Sequence, residues 1–244
     1  MPARAGLSIV GEMEPLESTR TTQPAAQPAA EPIALRSGWW HAETRRSALW
    51  AILVAIAGAV LIGGLTSFAQ QYLPPLIHSL SNSVGGWTMF SFLIVWLGRA
   101  RPLLAAVLGV VVFQLLVESY SVVTEWRGFD DGDPFTSIWT LVGLVAGPLL
   151  GVAAGLVRYA PPLWRALAVT PLCAVLLGEG IWALNTIADT TSPVYWSLEI
   201  VLSGVFLLAA ILHARLAPRS ISLVVCVGLL GTLAFVAVCL FVLS

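Results

Sequence analysis

The chain contains no lysine. All twelve of its basic residues are arginine, and thirteen acidic residues bring the formal net charge to -1. Neither a lysine Schiff base nor a strongly cationic nucleic-acid surface is available, so no nucleic-acid partner is expected. Cysteine is scarce too: Cys173, Cys226 and Cys239 lie in apolar stretches without a CxxC pair. That excludes a disulfide framework and a thiolate zinc site. The three histidines, His41, His78 and His213, are too scattered to ligate a haem between membrane helices. No GxSxG, HExxH or GxxxxGK[ST] stretch occurs, which removes the hydrolase elbow, the zinc-protease helix and the nucleotide loop. No cofactor, metal or enzymatic chemistry is expected. Scarcest of all is charge, at 10% of residues, whereas soluble domains carry about a quarter. With 58% hydrophobic residues, the composition specifies an all-α, polytopic transmembrane helix bundle in a cell membrane.

Residues 1–47 differ from the rest. Pro24, Pro28 and Pro32 stand in a TTQPAAQPAAEP context with no apolar periodicity, which reads as a disordered tail. The first long apolar run begins near Ala48, too late for a secretory signal, so the tail is expected to be retained. From there on, seven apolar segments can cross a hydrocarbon core that requires about 20 helical residues. They are residues 48–70, 85–98, 102–123, 137–157, 166–187, 194–213 and 221–243, making 48–244 one transmembrane helical domain.

Arginine placement orients these spans. Arg36, Arg45 and Arg46 precede the first, Arg99 and Arg101 join two and three, Arg158 and Arg165 join four and five, and Arg215 and Arg219 join six and seven. All fall on one side. The opposite loops hold a single arginine, Arg127, and an acidic run of Glu125, Asp130, Asp131 and Asp133. The positive-inside rule then predicts a cytoplasmic N-terminus and an external C-terminus. Trp50, Trp96 and Trp164 at expected inner ends, and Trp87, Trp126, Trp139 and Trp196 at outer ends, agree with it.

The second span is short, and residues 72–86 (YLPPLIHSLSNSVGG) before it carry no formal charge, two prolines and the turn-forming Asn82, Ser83, Gly85 and Gly86. This segment reads either as a re-entrant cap on the bundle or as an uncharged external loop.

Three carboxylates lie inside expected spans: Glu118, Glu179 and Glu199. A charge at the bilayer centre costs on the order of 2.5–3.5 kcal/mol, so each is a functional candidate by default. At about 1.5 Å per residue, Glu118 and Glu199 lie roughly 8 Å from the outer boundary and Glu179 roughly 12 Å. Helical spacing adds Gln114 to Glu118, Trp182 to Glu179 and Tyr195 to Glu199, and Asn82, in the segment before the second span, is a further candidate. Aromatic, amide and carboxylate groups together suit a small polar or cationic solute. Alternatively, each Glu donates a hydrogen bond to a neighbouring helix as structural glue.

Two stripes of small residues recur every four positions: Ala51, Ala55, Ala59 and Gly63 in the first span, and Gly143, Gly147, Gly151 and Gly155 in the fourth. Such stripes let backbones approach closely, either within the bundle or against another membrane subunit.

The run from Gly63 to Leu97, with Thr66, Ser67, Gln70, Leu73, Pro74, Asn82, Ser83 and Trp87, together with the acidic loop and GPLLGVAAGLV, resembles a family of small bacterial polytopic membrane proteins of unknown function. That resemblance implies a bacterial cytoplasmic-membrane location and no particular activity. A looser architectural likeness is to the substrate-binding subunits of energy-coupling-factor importers. It implies an outer segment capping the ligand and an alanine-spaced first helix that meets a coupling subunit. The leading expectation is a small-solute binding or transport component with an outward-facing acidic pocket, surrounded by membrane lipid. The alternative is a non-transporting membrane scaffold or regulator.

Overall fold

The structure is a computed structural model and describes Trp40 and residues 43–242. The tail expected over residues 1–47 lies outside the described residues except at its very end. Among the described residues there are seven α-helices and no strand: α1 (Arg45–Tyr72), α2 (Val84–Gly98), α3 (Pro102–Trp126), α4 (Ile138–Tyr159), α5 (Pro162–Thr186), α6 (Pro193–Ala214) and α7 (Pro218–Val242). Local chemistry marks their ends. Thr44, Ser83, Ser137 and Ser192 turn their side-chain oxygens onto the first free amides of α1, α2, α4 and α6. Proline opens α3, α5 and α6, where its missing N–H would have had no partner. Arg99 and Arg215, at φ 59° and 48°, end α2 and α6 in the left-handed conformation.

Six of the helices are long and apolar enough to cross a membrane, and α2 is the exception. Its 15 residues span about 22 Å, against a hydrocarbon core of about 30 Å. The chain must nevertheless return along it. The Leu103 amide donates to the Trp40 carbonyl at 3.3 Å and the Arg101 amide to Glu43, so α1 and α3 start side by side and run parallel. The end of α2 meets the start of α1, with Gly98 against the Ala51 backbone. The element expected at 85–98 is present as α2, and as its sequence implies it is too short by itself for a full crossing. Of the two readings of the segment before it, the structure selects the cap. Its prolines stay exposed, but it turns inward through a short 3-10 helix, His78–Ser81, until Ser81 and Ser83 are buried.

Both small-residue stripes are consumed inside the bundle. A methyl group at Gly151 would lie 2.7 Å from the Ala105 carbonyl carbon, and one at Gly155 would lie 2.8 Å from the Pro102 Cα. The α4 stripe thus seats α4 on α3 backbone to backbone, with Gly143 under the Phe113 ring and Gly147 against Gly109 and Val110. Ala51, Ala55 and Ala59 are at most 1% exposed, and Gly63 meets Ser119 and Leu116 of α3. The first-helix stripe is accordingly not the exposed face that the importer likeness implies.

Candidate functional site

The short α2 leaves its N-terminus inside the bundle rather than at its edge. A helix start presents amides without intrahelical partners and the positive end of the helix dipole, which in a buried position must be satisfied by other protein groups. Glu179 of α5 supplies the answer. Its carboxylate is 5% exposed and accepts from the Val84 amide at 2.8 Å and from the Gly85 amide. Ser83, the cap residue, accepts from the Gly86 amide at 2.8 Å.

Glu199 of α6 joins from the other side. It is 1% exposed, and its Oε1 accepts the Tyr195 hydroxyl at 2.6 Å and the Ser83 hydroxyl at 3.2 Å. Ser83 and Tyr195 hydroxyls are 2.6 Å apart, which closes a three-member ring of oxygens. The other carboxyl oxygen, Oε2, is buried and has no partner. A methyl at Gly85 would collide with Glu199 Oε1 and Glu179 Oε2 together, so the two carboxyl groups share one small volume and only glycine fits between them.

Electrostatics limit what this arrangement can hold. The α2 N-terminus favours negative charge on Glu179. Two like charges in so small a volume repel, so a second negative charge on Glu199 calls for a proton or a bound cation. Among the described residues no three His, Cys, Asp or Glu come together, so the pair is a two-carboxyl site completed by hydroxyls and backbone.

The other residues singled out from the sequence fall into separate places. Glu118 is half-buried and accepts the Phe135 amide of the α3–α4 loop at 3.1 Å, so it does not converge with Glu179 and Glu199 as expected. Gln114 donates to the Thr140 carbonyl of α4 at 2.9 Å and ties α3 to α4. Trp182 packs on the cluster of Ala183, Tyr195 and Trp196, beside the pair but without a polar contact to it. Asn82 is exposed and lines a cleft of about 370 Å³ with Gln70, His78, Ser79, Thr191 and Trp196. The cleft and the pair share a wall: Asn82 and Trp196 face the cleft, and their chain neighbours Ser83 and Tyr195 face the carboxyls.

Sequence reasoning did not assign Ser83 and the Val84 and Gly85 amides to the site. Their signal is the NSVGG string before an apolar run, a helix-start signature that becomes informative once α2 is seen to be too short. The motif residues Ser67, Gln70 and Trp87 frame the same region. Ser67 accepts from Thr124 at 2.8 Å and from Arg127 at 2.9 Å, Gln70 accepts from Tyr120 at 2.8 Å, and Trp87 stacks on Trp139 at 6.3 Å.

Residues 42–243 match the family described as "Family of unknown function (DUF6518)", and the chain belongs to that family. No curated protein and no solved structure shows a significant match to it.

Proposed function

We propose that this protein, whose family carries no assigned activity, is a small-solute binding or transport component of the cell membrane, with Glu179 and Glu199 as its working pair. The observation that carries the reading is the buried, unpartnered Oε2 of Glu199 beside a carboxylate already held by a helix N-terminus. Such a site is incomplete without a proton or a cation. The cleft beyond Ser83 and Tyr195 gives a route, and it opens among polar groups at the end that also carries Asp130, Asp131, Asp133 and Asp189. A field of that sign concentrates cations at the mouth. The chemistry is binding and release rather than catalysis, and the solute class is small and cationic or polar.

The arginine-rich end faces the cytoplasm in this reading, with the N-terminus inside and the C-terminus external. In a chain with Cys173, Cys226 and Cys239 replaced, Asp131→Cys should react with an impermeant thiol reagent on intact cells and Arg101→Cys should not. The reverse pattern overturns the orientation. Any additional membrane subunit must use a face other than the two small-residue stripes. The scaffold reading loses its main support for the same reason, since its partner-binding glycine stripe is buried against α3.

Thermal unfolding of the purified full chain with sodium, magnesium or choline as probe tests the function. Saturable stabilisation by at least one of them in the wild type, lost in Glu199→Gln, is the expected result. An identical response in the two proteins would refute the carboxyl pair as the site.

A further inference from the structure

A second cavity lies at the opposite, arginine-rich end and has a different character. It measures about 560 Å³, within the range of ligand pockets, and opens between α2, α4, α5 and α6 where α6 stands away from α2. Its walls are apolar: Phe92 and Leu93 of α2, Leu172 of α5, and Phe206 and Ala210 of α6. Only at its end do cationic or ionisable groups appear, Arg165 at the start of α5 and His213 in the last turn of α6. Trp96 joins them there, with the Arg158 guanidinium 4.6 Å above its ring. Arg165 uses its Nε on the Ala160 carbonyl, leaving its terminal amino groups as donors at the cavity rim.

A long apolar slot ending in an arginine, a histidine and an indole at the level where helices leave the membrane matches one amphiphile. We infer that this cavity binds an anionic phospholipid, with one acyl chain between α2 and α6 and its phosphate at Arg165 and His213. Charge complementarity selects the headgroup, because a zwitterionic lipid offers its phosphate together with a competing cation. The apolar walls select a lipid over free phosphate. Basic pockets between transmembrane helices at the arginine-rich side are where such headgroups bind. The site is independent of the Glu179–Glu199 pair and stands or falls separately.

The test uses the purified full chain in detergent, incubated with phosphatidylglycerol, phosphatidylcholine or inorganic phosphate, with adducts read by native mass spectrometry and unfolding temperatures measured in parallel. Phosphatidylglycerol should be retained and stabilising, phosphatidylcholine retained far less, and inorganic phosphate without effect. Arg165→Gln should weaken phosphatidylglycerol retention about five-fold, the effect of one cation near a headgroup. Arg219→Gln, outside the cavity, should leave it unchanged. Ala210→Trp fills the slot and should abolish retention; if that variant fails to fold, the Arg165→Gln comparison decides alone. Equal retention of the two lipids, equal retention by Arg165→Gln and wild type, or stabilisation by inorganic phosphate matching that by phosphatidylglycerol would overturn the inference.

Discussion

The α1–α3–α4 side of the bundle and the α2–α5–α6 junction are assembled by opposite means. On the first, helices touch backbone to backbone over Gly63, Gly109, Gly147 and Gly151, with uncharged polar ties such as Gln114 to Thr140 and Thr124 to Ser67 between them. At the second, two carboxyls, two hydroxyls and a helix N-terminus meet in one small buried volume, and further along the same interface Ser203 donates to the Cys173 carbonyl at 2.8 Å. Lipid tails give helices no hydrophobic reason to associate, so only close van der Waals packing or hydrogen bonding can hold them. Close packing admits one arrangement. A pair of carboxyls with an unsatisfied carboxyl oxygen admits a change of proton or ligand, which is why the candidate site lies there.

The contrast can be broken most severely on the packed side. Gly151→Leu pushes a branched side chain into the Ala105 and Ala106 backbone, which cannot move aside, and should cost about 3 kcal/mol. A large fall in unfolding temperature, or loss of the folded protein from detergent extracts, checks it. Next comes Glu179→Gln. A carboxylate offers both oxygens to the Val84 and Gly85 amides, whereas the amide turns one NH2 group against a donor. A cost of about 1–3 kcal/mol is expected.

Glu199→Gln should differ in sign. Its remaining oxygen still accepts from Tyr195 and Ser83 while the need for a neutralising proton or cation disappears, so the protein should be as stable as wild type or more so. Denaturant titration of the two amides side by side separates a charged cap from a neutralised acid, and equal losses would show that the two carboxyls are interchangeable.

Tyr195→Phe removes one hydroxyl from the oxygen ring and should cost about 1 kcal/mol. In combination with Glu199→Gln the two effects should not be additive, because both changes touch the same hydrogen bond. Smallest of all is Glu118→Gln, which keeps an oxygen for the Phe135 amide and should shift stability by no more than about 0.5 kcal/mol. It should also leave any cation response intact, which would place Glu118 outside the site functionally as well as geometrically.

The helices were legible because apolar runs of about 20 residues between arginines and turn residues leave little choice in a membrane protein. The shortness of α2 was legible too, in WTMFSFLIVWLG. Glu179, Glu199 and Tyr195 were found by the same physics, since charge in a span requires a reason. Glu118 misled because depth along a helix says nothing of which neighbour a face meets. Its helix packs on α1, α2 and α4, and the α3–α4 loop folds back to bring the Phe135 amide to it. The partner of Glu179 was illegible for another reason: backbone amides are present at every residue, and only a helix that starts inside the bundle makes two of them important.

That premature start has a consequence for biosynthesis. The groups that complete α2 are separated from it by 95 residues at Val84–Glu179 and by 116 at Ser83–Glu199. When α2 leaves the ribosome neither glutamate exists, and a helix of about 22 Å is left with bare amides at one end. Its N-terminal amides gain their carboxylate partners only once α5 and α6 have been made. A chain released after α4 would contain every glycine that packs α3 on α4 and still lack a settled second crossing. The expected outcome is that a chain terminated before α5 is more sensitive to proteolysis at its second hairpin than the full chain, which limited proteolysis of the two in membranes measures.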